Sequence, residues 1–143
     1  MHPDCEVVFF LGDGLSDIEE LIGLRKSVAW IAVKGNCDGM AELCDRAVKK
    51  TEEITLLGKK IVLTHGDIYG AKAGGEGLLR LAEATDADLL LFGHTHRAFN
   101  KYYPDASGGV YLFNPGTVGG VYEPMSYGVI EITDRGILLS HCQ

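Results

Sequence analysis

Hydrophobic residues along this chain fall into short unbroken runs, and several of the runs end at a glycine beside a polar side chain. Glu6 to Leu11 (EVVFFL) runs into Gly12-Asp13-Gly14, and Val28 to Val33 (VAWIAV) runs into KGNCDGM. Runs of this length, apolar at consecutive positions, predict parallel strands covered on both faces. Between them, GLSDIEELIGLRK carries Ile18, Leu21, Ile22 and Leu24 at helical spacing, with Ser16 as the expected N-cap, acids in the first turn and bases in the last. EEITLLGKKIVLTHG predicts two strands turning around Gly58 and Lys59, the second of which, Lys60 to Thr64, delivers His65 at its end. GGEGLLRLAEATD predicts a helix with Leu78, Leu79, Leu81 and Ala82 on its apolar side, and ADLLLFG another buried strand. The last third (FNKYYPD, GVYLFN, SYGVIEIT, GILLSHC) predicts short strands between Gly, Pro and Asp turns. Its tyrosines, Tyr102, Tyr103 and Tyr111 with Tyr122 beyond, are expected in core and edge packing.

A βα pattern followed by a β-rich tail predicts an α/β sandwich of two packed sheets flanked by helices. Asp13, Asn36, His65, His94 and His96 each stand just past the end of a hydrophobic strand. The carboxyl edge of such sheets is where ligands bind, so these residues are expected to meet at one place.

Length and composition narrow the picture. At 143 residues, 46% hydrophobic and 23% charged, the chain suits one globular domain spanning 1–143. No apolar run approaches the roughly 18 residues of a membrane span. MHPDCEVVFF lacks the basic start of a signal peptide, so a cytoplasmic location is expected. Cys5, Cys37, Cys44 and Cys142 form no CxxC pair and are expected as reduced thiols. A net charge of -7 argues against a nucleic-acid partner or an anionic membrane held by bulk charge. An acidic chain still binds phosphate where metal ions supply positive charge locally.

One Asp, one Asn and three His make a mixed oxygen and nitrogen set suited to Mn, Fe, Ni, Zn or Co, and poorer for Ca and Mg. Glycine on both sides of Asp13 lets the backbone come close, and its carboxylate could bridge two ions. Asn36, also preceded by glycine, offers a neutral amide oxygen. Any of these residues alone is more simply a turn or a structural histidine; five of them at strand ends together point to a metal site, GHTH being the most specific signal.

LGDG, GNCD, LTHG, LLFGHTH and NPGT, in that order, resemble the calcineurin-like metallophosphoesterases, in particular their small prokaryotic phosphodiesterase branch. The resemblance extends from Glu6 to about Ile132. It implies a four-layer α/β/β/α sandwich of two mixed sheets and a dinuclear metal centre. By this resemblance Asp13 bridges the metals, Asn36, His65 and His94 complete one site, and His96 belongs to the other, with Asp13, Asn36, His65 and His94 the catalytic set. Two cations roughly 3.5 to 4 Å apart activate a water and stabilise the charge of in-line displacement. The implied activity is hydrolysis of a small phosphoester, expected to be a phosphodiester, with Mn the first expectation for the metal and Ni, Zn, Fe or Co the alternatives.

Three departures from the family pattern carry expectations of their own. The family opens with a strand ending in Asp-x-His, which supplies ligands to the second metal; nothing before Glu6 matches it, so the first strand-helix unit is expected to be missing from this chain. A second ion is then expected to be weak or absent, and the strand left beside the gap is expected to drive dimerisation or aggregation. Where many relatives carry GNHD or GNHE, Cys37 stands in the His position, and a neutral thiol is a poor proton donor. Asp67 stands where the branch often has a second His, and is expected mainly to cap a turn. Lys72 and Arg97 are candidates for neutralising substrate phosphate, and Asn114 of NPGT for hydrogen-bonding loop backbone near the site. The alternative function is a non-catalytic protein-binding scaffold on the same sandwich, as in the related retromer subunit; retention of the five ligand-type residues favours the enzyme.

Overall fold

Each unbroken apolar run becomes a strand. The computed structural model describes residues 2–39, 42–106, 108–119 and 123–143. The first strand, β1 (Val7–Phe10), leads through the Gly12-Asp13-Gly14 turn into α1 (Leu15–Leu24) and then β2 (Ala29–Ala32), which lies parallel to β1 with Val7 opposite Ala29 and Phe10 opposite Ala32. A small hairpin of β3 (Glu42–Leu43) and β4 (Arg46–Ala47) follows. Hydrophobic patterning did not anticipate it, because two-residue strands are too short to show a period. The remaining elements are β5 (Thr51–Leu56), β6 (Lys59–Thr64), two 3-10 turns (Asp67–Tyr69 and Ala71–Ala73), α2 (Glu76–Thr85), β7 (Leu89–Phe92), β8 (Ala98–Tyr103), β9 (Val110–Pro115), β10 (Tyr127–Thr133) and β11 (Gly136–Cys142). Tyr122 lies outside the described residues.

A five-stranded mixed sheet in the order β5-β6-β7-β9-β8 forms the centre. β6, β7 and β9 run parallel, and β5 and β8 close the two edges antiparallel. Alternation along these strands splits each apolar run between two cores. Val62, Leu90, Phe92 and Leu112 face one way, onto Leu78 and Ala82 of α2. Ile61, Leu63, Leu89, Leu91 and Phe113 face the other way, onto Leu11 and Val33, with Phe9, Ile31, Ile130, Ile132, Ile137 and Leu139 packed against them. Strands covered on both faces need no polar side, which is why their sequences read as continuous hydrophobic runs.

The fold is thus the expected α/β sandwich, with its second β layer in two pieces. β1 and β2 pair parallel, β10 and β11 pair antiparallel, and no ladder joins the two pairs among the described residues.

Local chemistry departs from expectation at two turns. α1 begins at Leu15 after Gly14, so Ser16 lies inside the helix and makes no side-chain cap, and Arg25 follows the last turn rather than occupying it. The β5–β6 turn is Leu57-Gly58, one residue earlier than expected, with φ of 49° and 76°. Two positive φ values match the right-handed twist of a hairpin, and Gly58 adopts its value without the cost a Cβ would bring. Tyr102 lies opposite Tyr111 across β8 and β9 with ring centroids 4.7 Å apart, as a packing role predicts.

Candidate metal centre

Four strands deliver the site. β1 ends before Asp13, β2 before Asn36, β6 before His65 and β7 before His94. The β1 turn is tight: a Cβ at Gly12 would lie 2.6 Å from the backbone N of Gly35, so only glycine lets the two loops touch. Asp13, His94 and His96 themselves carry φ of 63°, 64° and 60°, left-handed conformations that non-glycine residues adopt at a cost and that cluster at working sites.

The carboxylate of Asp38 holds two of these loops together. Its Oδ2 accepts the backbone N–H of Asp13 at 2.7 Å and of Gly35 at 2.8 Å, and its Oδ1 accepts those of Gly14 at 2.8 Å and Leu15 at 3.0 Å. Burial pushes this carboxyl's pKa up, but the four N–H donors outweigh it and hold the group below the ordinary carboxylate value. Asp38 also does for α1 what Ser16 was expected to do, since the N–H of Leu15 belongs to the first turn of the helix.

His65, 2% exposed, is the hub. Its Nδ1 lies 2.6 Å from the carbonyl oxygen of Leu11. A carbonyl only accepts, so Nδ1 carries the hydrogen, and in the neutral form of the ring the lone pair lies at Nε2. That atom faces Asn36 Oδ1 at 2.9 Å, Asp13 Oδ2 at 3.2 Å and His94 Nδ1 at 3.2 Å. Asn36 turns its Nδ2 toward Cys37 Sγ at 3.5 Å, which leaves its oxygen on the His65 side. The other Asp13 oxygen, Oδ1, accepts the Cys37 N–H at 2.8 Å.

Lone pairs of an imidazole, a carboxylate and an amide facing one another repel unless a proton on His65 Nε2 or a cation lies among them. The spacing suits a cation: two donors each about 2.1 Å from one ion and at right angles stand about 3 Å apart. The His and Asp side chains do not by themselves close a metal-holding cluster among the described residues. Asn36 supplies the fourth donor, and the set of two imidazoles, one carboxylate and one amide fits a divalent transition ion.

His94 stays proton-free to lower pH than an ordinary histidine. Burial is the main cause, the charge of Lys72 and that of His65 when it is protonated add to it, and those of Asp67 and Asp13 oppose it. Its loop is held from below by Asn114, fully buried at the end of β9, whose Nδ2 donates to Gly93 O at 2.9 Å and Thr95 Oγ1 at 3.0 Å. Asn114 Oδ1 accepts the Gly116 N–H at 2.9 Å, so the NPGT asparagine does bond the loop backbone beside the site. His96 sits two residues past His94 and is exposed, without a hydrogen bond or ion pair to the other four among the described residues. The candidate cations separate: Lys72 is felt at both His94 and Cys37, whereas Arg97 Nε pairs with Glu123 Oε1 at 3.1 Å. Asp67 opens the first 3-10 turn without a side-chain cap, its charge acting on His94 instead. The Cys37 thiol is exposed and held in its protonated form chiefly by the Asp13 carboxylate beside it.

The sequence profile of the calcineurin-like phosphoesterase superfamily domain matches residues 1–135. The chain belongs to this superfamily. Among the relatives of this chain is "Probable metallophosphoesterase YsnB" of Bacillus subtilis, 32% identical over 115 residues, which are 80% of this chain and 62% of that protein. Vacuolar protein sorting-associated protein 29 of Schizosaccharomyces pombe is 41% identical over 68 residues, 48% of this chain and 34% of that one. The chain therefore spans less than two thirds of the length of these curated relatives. In three dimensions it is similar to a single-mutant Vps29 from Entamoeba histolytica, with a TM-score of 0.70, 25% identity, and coverage of 96% of this chain and 81% of the other.

Two partners of the site escaped the hydrophobic pattern: Asp38 and the Leu11 carbonyl. Asp38 left a trace, being the last residue of GNCD, two positions after Asn36. The carbonyl left none, since a backbone oxygen has no letter.

Proposed function

We propose that this phosphoesterase-superfamily chain hydrolyses a small phosphodiester through metal-activated water, with Asp13, Asn36, His65 and His94 as the firm ligand set. The observation that carries the reading is the convergence of Asn36 Oδ1, Asp13 Oδ2 and His94 Nδ1 on Nε2 of His65, within 2.9 to 3.2 Å. Manganese is the metal we propose, with Ni, Zn, Fe and Co as alternatives from the same ligand preference. Bound there, a divalent ion supplies Lewis acidity and activates water for attack on phosphorus.

The residues do the rest. Asp13 is the one carboxylate among the four ligands, so the set leaves a divalent ion with net positive charge to meet an anionic phosphoester, although the chain carries -7 overall. Asn36 adds an oxygen without adding charge. Leu11, through its carbonyl, keeps the hydrogen of His65 on the far nitrogen and its lone pair inward. Lys72 neutralises substrate charge at the rim. Cys37, protonated and neutral, does not repel the phosphate and does not serve as the acid for the leaving group. His96 is proposed as a ligand to a second, weaker ion. We place the reaction in the cytoplasm and assign no role to nucleic acid or membrane; among the described residues no helix is long and apolar enough to cross a bilayer.

The scaffold reading draws on the likeness to a vacuolar protein sorting-associated protein. The two part on one experiment. Chelator-stripped protein reloaded with Mn should release 4-nitrophenolate from bis(4-nitrophenyl) phosphate, and His94→Ala should abolish that release. Turnover unchanged by His94→Ala, or absent with Mn and Ni alike, overturns the enzyme reading and leaves the scaffold.

A further inference from the structure

We infer that Asp38 is the positioning residue of the metal centre, a single carboxylate that sets the distance between the Asp13 and Asn36 ligands by clamping both of their loops. This rests on the metal-site reading above and adds a residue that no ligand argument requires, because Asp38 turns its oxygens away from the convergence point and onto backbone.

Three observations support it. The clamp spans two loops at once: Oδ2 is shared by the N–H groups of Asp13 and Gly35, 2.7 and 2.8 Å away, one beside each ligand. The backbone it holds is costly to hold, since Asp13, which is not glycine, has a left-handed φ of 63°. The clamp is also saturated and buried: Oδ1 takes Gly14 and Leu15 at 2.8 and 3.0 Å, and the residue is 9% exposed. Four donors on one carboxylate define its position in three dimensions, and the carboxylate in turn defines theirs. The amide of an asparagine in its place would aim two hydrogens at backbone hydrogens, so isosteric replacement breaks the clamp without changing its size.

The test separates positioning from mere stability and from the metal reading itself. Amide hydrogen exchange on the metal-free protein comes first. Asp38→Asn and Asp38→Glu should raise exchange at Asp13, Gly14, Leu15 and Gly35 together while β6, β7 and β9 keep their protection. Co(II) titration follows, read by calorimetry and by the visible absorption of the bound ion. Both variants should bind Co(II) roughly 10- to 100-fold more weakly, with an altered spectrum. Asp38→Glu keeps the charge one methylene further out, so affinity restored to the parent level by Glu would mean that charge alone matters and would overturn positioning. Leu78→Ala, a core change in α2 away from the site, serves as the stability control and should leave Co(II) affinity unchanged. If Asp38→Asn does not fold, Asp38→Glu carries both readings. Unchanged exchange in the two loops, or unchanged affinity and spectrum in a folded variant, overturns the inference. Coupled loop exchange in a parent protein that binds no Co(II) overturns the metal reading and leaves the clamp standing.

Discussion

His65 and Leu11, 54 positions apart, are joined at 2.6 Å through the ring Nδ1 and the main-chain carbonyl. The bond crosses the sandwich: Leu11 follows β1 in one β layer, and His65 follows β6 in the central sheet. One hydrogen bond therefore selects the tautomer of the hub histidine and fixes the second β layer against the first at the site.

His65→Ala should cost both functions of that bond. Loss of a buried partner for the Leu11 carbonyl is expected to destabilise the protein by about 1–3 kcal/mol, read from urea unfolding. The same variant should hold no transition metal, whereas the parent, stripped and reloaded, should hold nearer one ion than two by elemental analysis. Two tightly held ions in the parent would show that further ligands act.

In the metal-free protein, acid should lower stability in two separate pH windows. His94 has a lowered folded pKa, so its contribution is complete above the ordinary value of 6.5 and is lost as pH falls through the lowered one. Asp38 is likewise lowered from 3.8, and its contribution is lost further down, as pH falls through its folded value. The melting temperature should be flat on the alkaline side of neutrality and then fall in these two windows. His94→Asn should remove the first fall and Asp38→Asn the second; a profile unaltered by either substitution contradicts the assignment.

Asn114→Ala should loosen the GHTH loop while sparing the sheet. The amide serves Gly93, Thr95 and Gly116 at once, at 2.9, 3.0 and 2.9 Å. Unpairing these groups is expected to cost about 1–3 kcal/mol, and in the Mn-loaded protein to lower turnover more than it lowers metal content. Equal losses of both would instead make Asn114 a determinant of metal binding.

Self-association is expected through β1 and β2. They pair only with each other among the described residues, which leaves main-chain donors and acceptors along both edges. Open edges of this kind recruit strands from other chains. Sedimentation over a concentration series should reveal a dimer; a monomer throughout would mean the edges are covered in solution.

Hydrophobic pattern alone determined most of the architecture. A run such as LLLF is apolar at every position because both faces of its strand are buried, so the run predicts the strand, and the polar residues that follow mark the strand's carboxyl end. Asp13, Asn36, His65 and His94 all fall within the first few residues past such runs, which made them legible as candidates for one site, and the order of LGDG, GNCD and GHTH pointed to the superfamily. Tertiary structure decided what pattern cannot encode. Which oxygen or nitrogen faces which depends on groups far apart in the chain, and several are backbone atoms common to every residue: the Leu11 carbonyl that sets the His65 tautomer, the four N–H groups gathered by Asp38, the left-handed turns at Asp13 and His94. Ser16 shows the same limit from the other side. Local sequence made it a fitting N-cap, but the helix starts one residue before Ser16, because a carboxylate more than twenty residues away, Asp38, accepts the N–H groups of Gly14 and Leu15 and so satisfies the entry of an earlier first turn.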